Sequence, residues 1–113
     1  TPFLKNGNID YQSLFKILKY YYRCNVRIFY LMLYNSRLGL MSDKEIHELN
    51  YRIANYLKKN FTDTLFIGAE RFEGSSKETL LRIKKLAKSG VDIFSVILGE
   101  KYYNDDLTIM DMR

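Results

Sequence analysis

Apolar and polar positions alternate along this chain in two periods that succeed one another three times. Residues Tyr11 to Arg23 carry Leu14, Ile17, Leu18 and Tyr21 at three- and four-residue spacing, which predicts a helix with one buried stripe and Lys16 and Lys19 facing out. Asp10 is a suitable N-cap for it and Asn25 a suitable stop. The next segment, Val26 to Leu33, has almost no polar alternation, as expected of a strand in a parallel sheet rather than one facing water. It breaks into a polar turn, Tyr34-Asn35-Ser36-Arg37.

The pattern then repeats. Ser42-Asp43-Lys44-Glu45 is a capping box that opens a second helix, running to about Lys59, with Ile46, Leu49, Ile53, Ala54 and Leu57 as its apolar stripe. The strand Thr64 to Ile67, the glycine Gly68 and a polar loop from Glu70 to Gly74 follow. Ser75-Ser76-Lys77-Glu78 is a second capping box, ahead of a helix over about Lys77 to Lys88 that is expected to bury Leu80, Ile83, Leu86 and Ala87. Ser89-Gly90 stops it, and the last strand runs from Val91 to Leu98. Helix alternating with strand over short connections means an α/β fold of parallel β/α units with neighbouring strands in chain order. Three such strands backed by helices leave two sheet edges and one face uncovered, so residues 1–113 are expected to be one incomplete domain, part of a larger sheet or barrel. The chain starts at Thr1 rather than methionine, in keeping with further sequence upstream. In folds of this kind ligands bind where the strands end, which directs attention to Tyr34 to Arg37.

Composition changes this picture little. At 47% hydrophobic and 27% charged residues the chain is ordinary for a folded domain, and one proline and six glycines leave no low-complexity linker. No apolar stretch approaches the roughly 18 to 20 residues that span a bilayer, since Arg27 and Arg37 interrupt the longest, so no membrane partner is expected. Cys24 is the only cysteine. It excludes an intrachain disulfide and a cysteine-based metal cluster, suits a reducing cytoplasm, and reads as a small buried filler at a helix end. His47, between Glu45 and Glu48, reads as part of a solvated helix face. Net charge is +5, from 18 basic and 13 acidic residues, and with ten tyrosines it raises a nucleic-acid reading. Against that reading, Lys58, Lys59, Lys84, Lys85 and Lys88 fall late in helices, where cations offset the helix dipole, and Tyr20-Tyr21-Tyr22 point in different directions around theirs.

The elements in this order resemble the dihydrodipicolinate synthase and N-acetylneuraminate lyase family of pyruvate-dependent Schiff-base aldolases. The resemblance begins at Thr1-Pro2-Phe3 and passes through Asn6-Gly7-Asn8-Ile9-Asp10 and Met41-Ser42-Asp43-Lys44-Glu45. It includes Phe66-Ile67-Gly68 and Leu86-Ala87-Lys88-Ser89-Gly90-Val91-Asp92. It implies the amino-terminal part of a TIM-type (β/α)8 barrel, a homo-oligomer, pyruvate and an aldehyde as substrates, no cofactor, and a Schiff-base lysine beyond residue 113. It assigns substrate binding to Asn35, Ser36 and Arg37, and a catalytic role to Tyr103, through Tyr102-Tyr103-Asn104. Where the family has a turn of small and hydroxyl-bearing residues that binds the pyruvate carboxylate, this chain has Leu33-Tyr34-Asn35-Ser36-Arg37. Leu33 and Tyr34 fill space that the family leaves open. A noncatalytic relative that keeps the barrel for assembly is therefore the second reading, and a basic binding module the third.

Overall fold

In the computed structural model residues 1–31, 36–70 and 75–95 are described. Their elements run α1 (Tyr11–Arg23), β1 (Ile28–Tyr30), a 3-10 turn (Leu38–Leu40), α2 (Asp43–Asn60), β2 (Leu65–Ala69), α3 (Ser76–Lys88) and β3 (Ile93–Ser95). The sheet is parallel with strand order β1-β2-β3, as the alternation predicts. The paired segments do not coincide with the expected runs. Residues Val26 and Thr64 precede the paired segments, β2 extends to Ala69, and the expected course of the last strand past Ser95 lies outside the described residues.

Local sequence chemistry accounts for the helix ends. The Asp10 carboxylate accepts from the Ser13 amide at 3.0 Å and from the Ser13 hydroxyl at 2.6 Å, which satisfies an otherwise orphaned donor at the start of α1. At its other end Asn25 takes a left-handed conformation, φ 68°, and the amides of Asn25 and Val26 donate to the carbonyls of Tyr22 and Tyr21. That is a Schellman closure, with asparagine in the place that glycine usually holds. Both capping boxes form: the Ser42 and Ser75 hydroxyls each accept from the amide three residues on, at 3.2 Å, and Glu45 and Glu78 reach back to the cap amides.

One face of the sheet packs on helices. Phe29, Leu31 and Phe66 join Leu14 and Leu18 of α1 and Ile46, Leu49, Ile53, Ala54 and Leu57 of α2 in a single core. The stripe expected on α2 is buried in full, together with Asn50. Asn50 Nδ2 donates to the carbonyls of Ile46 and Ala69 at 2.9 and 2.8 Å, and its Oδ1 accepts from the Ala69 amide at 3.2 Å. A polar side chain in the middle of an apolar stripe thus locks α2 onto the end of β2. Gly68 makes room for this contact, since a Cβ there would stand 2.5 Å from Asn50 Oδ1 and 2.6 Å from a Val91 methyl.

Other expectations fail for a shared reason. On α1, Ile17 and Tyr21 are exposed while Leu14 and Leu18 are buried. On α3, Leu86 is buried, Ile83 half-buried, and Leu80 and Ala87 exposed. The apolar stripes are present, but among the described residues only the central helix is flanked on both sides. Cys24 is also exposed rather than buried, because as the C-cap it sits where α1 ends and the chain turns away from the core.

The opposite face of the sheet is open. Register places Ile28 beside Leu65, Tyr30 beside Ile67, and Ile67 beside Ile93, all on that face. Ile28 is 60% exposed, Tyr30 47%, Leu65 45% and Ile93 50%. The described residues therefore hold a parallel sheet, apolar on both sides, with helices on one side only.

Candidate functional site

The carboxyl ends of the strands carry Ser36 and Arg37. Two side chains from the same sequence turn, Tyr34 and Asn35, lie outside the described residues, as do Leu33 and the catalytic candidate Tyr103 with its neighbours Tyr102 and Asn104. The turn is fastened from outside, for the Thr1 hydroxyl donates to the Ser36 carbonyl at 2.7 Å. It is fastened from below as well: the 3-10 turn that follows inserts Leu38, fully buried, and Met41 into the core. Arg37 sits between these anchors with φ 63°, a left-handed conformation that is uncommon outside glycine, and its side chain is exposed. Ser36 thus lies beyond the end of β1 beside an exposed cation. Beneath it lies a cavity of about 200 Å³ lined by Leu14, Leu18, Phe29, Leu31 and Phe66.

A second polar feature of the strand ends was not anticipated from the sequence. The hydroxyls of Tyr30 and Ser95 stand 2.7 Å apart on the open face, bridging β1 and β3 across β2. Among the described residues β1 ends at Tyr30, β2 at Ala69 and β3 at Ser95, and Ala69 is the small residue between the two hydroxyl-bearing strands. Sixty-five residues separate the two hydroxyls, so no local spacing announces the pair.

The amino ends of the strands hold a different kind of cluster. Arg27 Nε donates to Asp63 Oδ2 at 2.9 Å, the Tyr22 hydroxyl donates to Asp63 Oδ1 at 2.7 Å, and the Arg27 guanidinium lies 3.8 Å from the centre of the Tyr22 ring. Tyr22 in turn stacks on Phe61 with ring centres 4.0 Å apart. The Tyr22 hydroxyl, and to a lesser extent Arg27, hold the Asp63 carboxyl below the usual carboxylate range. Every partner is another part of the chain, so this cluster ties α1 and β1 to the loop before β2.

Between α2 and α3 a cleft of about 470 Å³ brings together His47, Glu70, Arg82 and Lys85, with Arg82 paired to Asp43 at 3.2 Å. His47 is half-buried there rather than fully solvated. The cleft's charges are mixed, with Asp43 and Glu70 among Lys44, Arg82 and Lys85. Lys58, Lys59, Lys84, Lys85 and Lys88 are all exposed, as their positions late in the helices predict, with Lys85 at the edge of this cleft. Among the described residues no group of three or more His, Cys, Asp or Glu could hold a metal ion, and no helix is long and apolar enough to cross a membrane. No family model, curated protein or solved structure matches this chain.

Proposed function

We propose that this chain is the amino-terminal part of a pyruvate-handling aldolase built on a (β/α)8 barrel, with its Schiff-base lysine beyond residue 113. One observation carries the reading: the parallel sheet is covered by helices on one side and exposes Ile28, Tyr30, Leu65 and Ile93 on the other. A closed barrel has this asymmetry, with helices outside and apolar side chains filling the interior in layers. The order of elements and the residues from Thr1 to Glu45 that resemble the dihydrodipicolinate synthase and N-acetylneuraminate lyase family supply the chemistry. Pyruvate would form an imine with the lysine and an aldehyde would be the second substrate. Ser36 and Arg37, at the end of β1, would meet the pyruvate carboxylate with Asn35, and Tyr103 would serve proton transfer. A homo-oligomer in the cytoplasm belongs to the same reading.

A second reading, a noncatalytic relative, is favoured by the bulk of Leu33 and Tyr34 in the family's carboxylate turn and by the Ser36 carbonyl being engaged by Thr1. Borohydride reduction separates the two. Incubated with pyruvate and borohydride, the full-length protein should gain the mass of one reduced adduct, mapped to a lysine beyond residue 113. A folded protein that gains none, or that is labelled only within residues 1–113, contradicts the aldolase. Where the adduct forms, Arg37→Ala should weaken pyruvate binding by about 1.5 to 3 kcal/mol, as for a hydrogen bond to a charged group. Undiminished binding removes Arg37 from the site.

A further inference from the structure

We infer that the hydroxyl pair of Tyr30 and Ser95 is a ligand-binding element that donates a hydrogen bond to the carboxylate of a small oxo acid at the carboxyl end of the sheet. The inference rests on the aldolase reading and names a donor that the turn at Tyr34 to Arg37 does not supply.

Three features of the pair point to a ligand. The first is its place. β1 and β3 are not neighbours and stand about twice the usual strand spacing of about 4.8 Å apart, so the Tyr30 phenol has to cross β2 to reach Ser95. It crosses where β2 ends in the small Ala69, and so the pair sits near the carboxyl end of β2 on the face away from the helices. Ligands of parallel α/β folds bind at the strand ends.

The second feature is proton arithmetic. Two hydroxyls bring two protons, and the bond at 2.7 Å uses one. Whichever oxygen donates within the pair, the other keeps a proton with no use for it inside the pair. The third is the surroundings. The side chains sharing that face, Ile28, Leu65, Ile67 and Ile93, have no acceptor to offer. The pair is exposed among the described residues, where water can take the spare proton; in the covered interior of the proposed barrel that proton would cost free energy unless an acceptor arrived. A carboxylate oxygen is the strongest acceptor of the proposed substrate, and the donor becomes more effective because its own oxygen accepts from its partner.

The departure of the turn from the family pattern fits this. Leu33 and Tyr34 replace small and hydroxyl-bearing residues, and the hydroxyls of Tyr30 and Ser95 restore donor capacity from the strands themselves.

The test uses the full-length protein and pyruvate as the probe, with the yield of borohydride-trapped adduct measured against pyruvate concentration. In Tyr30→Phe the half-saturating pyruvate concentration should rise about tenfold or more, the range for losing a hydrogen bond to a charged acceptor, while the yield at saturation stays at the wild-type level. Ser95→Ala should move it in the same direction, and Ser95→Thr, which keeps a hydroxyl, should restore it. Thermal melts of each variant accompany the titration. A lowered melting temperature with unchanged half-saturation makes the pair a packing contact and overturns the inference, and unchanged half-saturation with unchanged melting does so equally. If the wild-type protein traps no pyruvate, the aldolase reading falls and takes this ligand with it, whereas a trapping wild type with insensitive variants sinks the hydroxyl pair alone.

Discussion

The helices α2 and α3 are written with the same devices and end up in different circumstances. Each opens on a serine capping box, closes with lysines in its last turn and carries apolar residues at helical spacing. Yet α2 buries Ile46, Leu49, Asn50, Ile53, Ala54 and Leu57, and α3 buries Leu86 alone, with Leu80 and Leu81 each 52% exposed. The difference lies in the neighbours. α2 rests on the sheet between α1 and α3, whereas on its far side α3 has no partner among the described residues. A stripe states how a helix could pack, and the elements on both sides decide whether it does. The open face of the sheet makes the same statement for strands. Both surfaces leave apolar side chains uncovered among the described residues.

Truncating equivalent leucines should separate the two helices most. Leu49→Ala, in the fully packed helix, should cost about 2 to 5 kcal/mol in a urea titration of this chain, whereas Leu80→Ala should cost under about 1 kcal/mol. Equal losses would mean that α3 is packed as α2 is. In the full-length protein the Leu80→Ala loss should grow, because the account gives that side chain a partner there.

A smaller effect is expected at the joint between α2 and β2. Asn50→Ala leaves the Ala69 amide and carbonyl without their side-chain partners, at about 1 to 3 kcal/mol. The loss should appear as lowered hydrogen-exchange protection of the Ala69 amide, and unchanged protection would contradict the role given to Asn50.

Capping comes next, and here the two helices should behave alike. Ser42→Ala and Ser75→Ala should each cost about 1 kcal/mol, since a cap acts within its own first turn whatever packs outside. A Ser75→Ala loss well below that of Ser42→Ala would show α3 to be frayed as well as exposed.

The smallest effect is on pH dependence. The Tyr22 hydroxyl, with Arg27 beside it, holds Asp63 below its ordinary range in the folded state. A depressed folded pKa means that the contribution is complete above the unfolded value of about 4 and is lost as the pH falls through the folded value. Asp63→Asn should therefore make the acid limb of the stability curve shallower and leave the neutral region nearly parallel to wild type. Asp10 and Glu45, also depressed, keep the limb from flattening altogether. An unchanged acid limb would remove Asp63 from it.

Elements whose ends are set by local chemistry were legible in the sequence. α1 runs from Tyr11 to Arg23 as its Asp10 cap and Asn25 closure require, and both capping boxes announce their helices. Parallel strand order followed from the alternation of elements. What could not be read is set by distant parts of the chain. Ile17 and Tyr21 match the stripe of α1 and lack a neighbour to bury them. Asn50 interrupts the stripe of α2, and its role does not show in the local pattern because its partner at Ala69 is nineteen residues away. The same holds for Tyr30, which reads as one more apolar strand residue until Ser95 is beside it. Of the site read from the sequence, Ser36 and Arg37 are placed together at the end of β1, while Asn35 and Tyr103 lie outside the described residues.

In the proposed barrel the open face of the sheet becomes an interior. Carbene footprinting of the full-length protein and of residues 1–113 tests it most directly, by comparing labelling at Ile28, Leu65 and Ile93 with labelling at Lys58 and Lys88, which stay outside in either case. The account predicts strong labelling of the three strand residues in the short chain and protection in the full-length protein, with the lysines unchanged. Equal labelling of Ile28, Leu65 and Ile93 in both would contradict it.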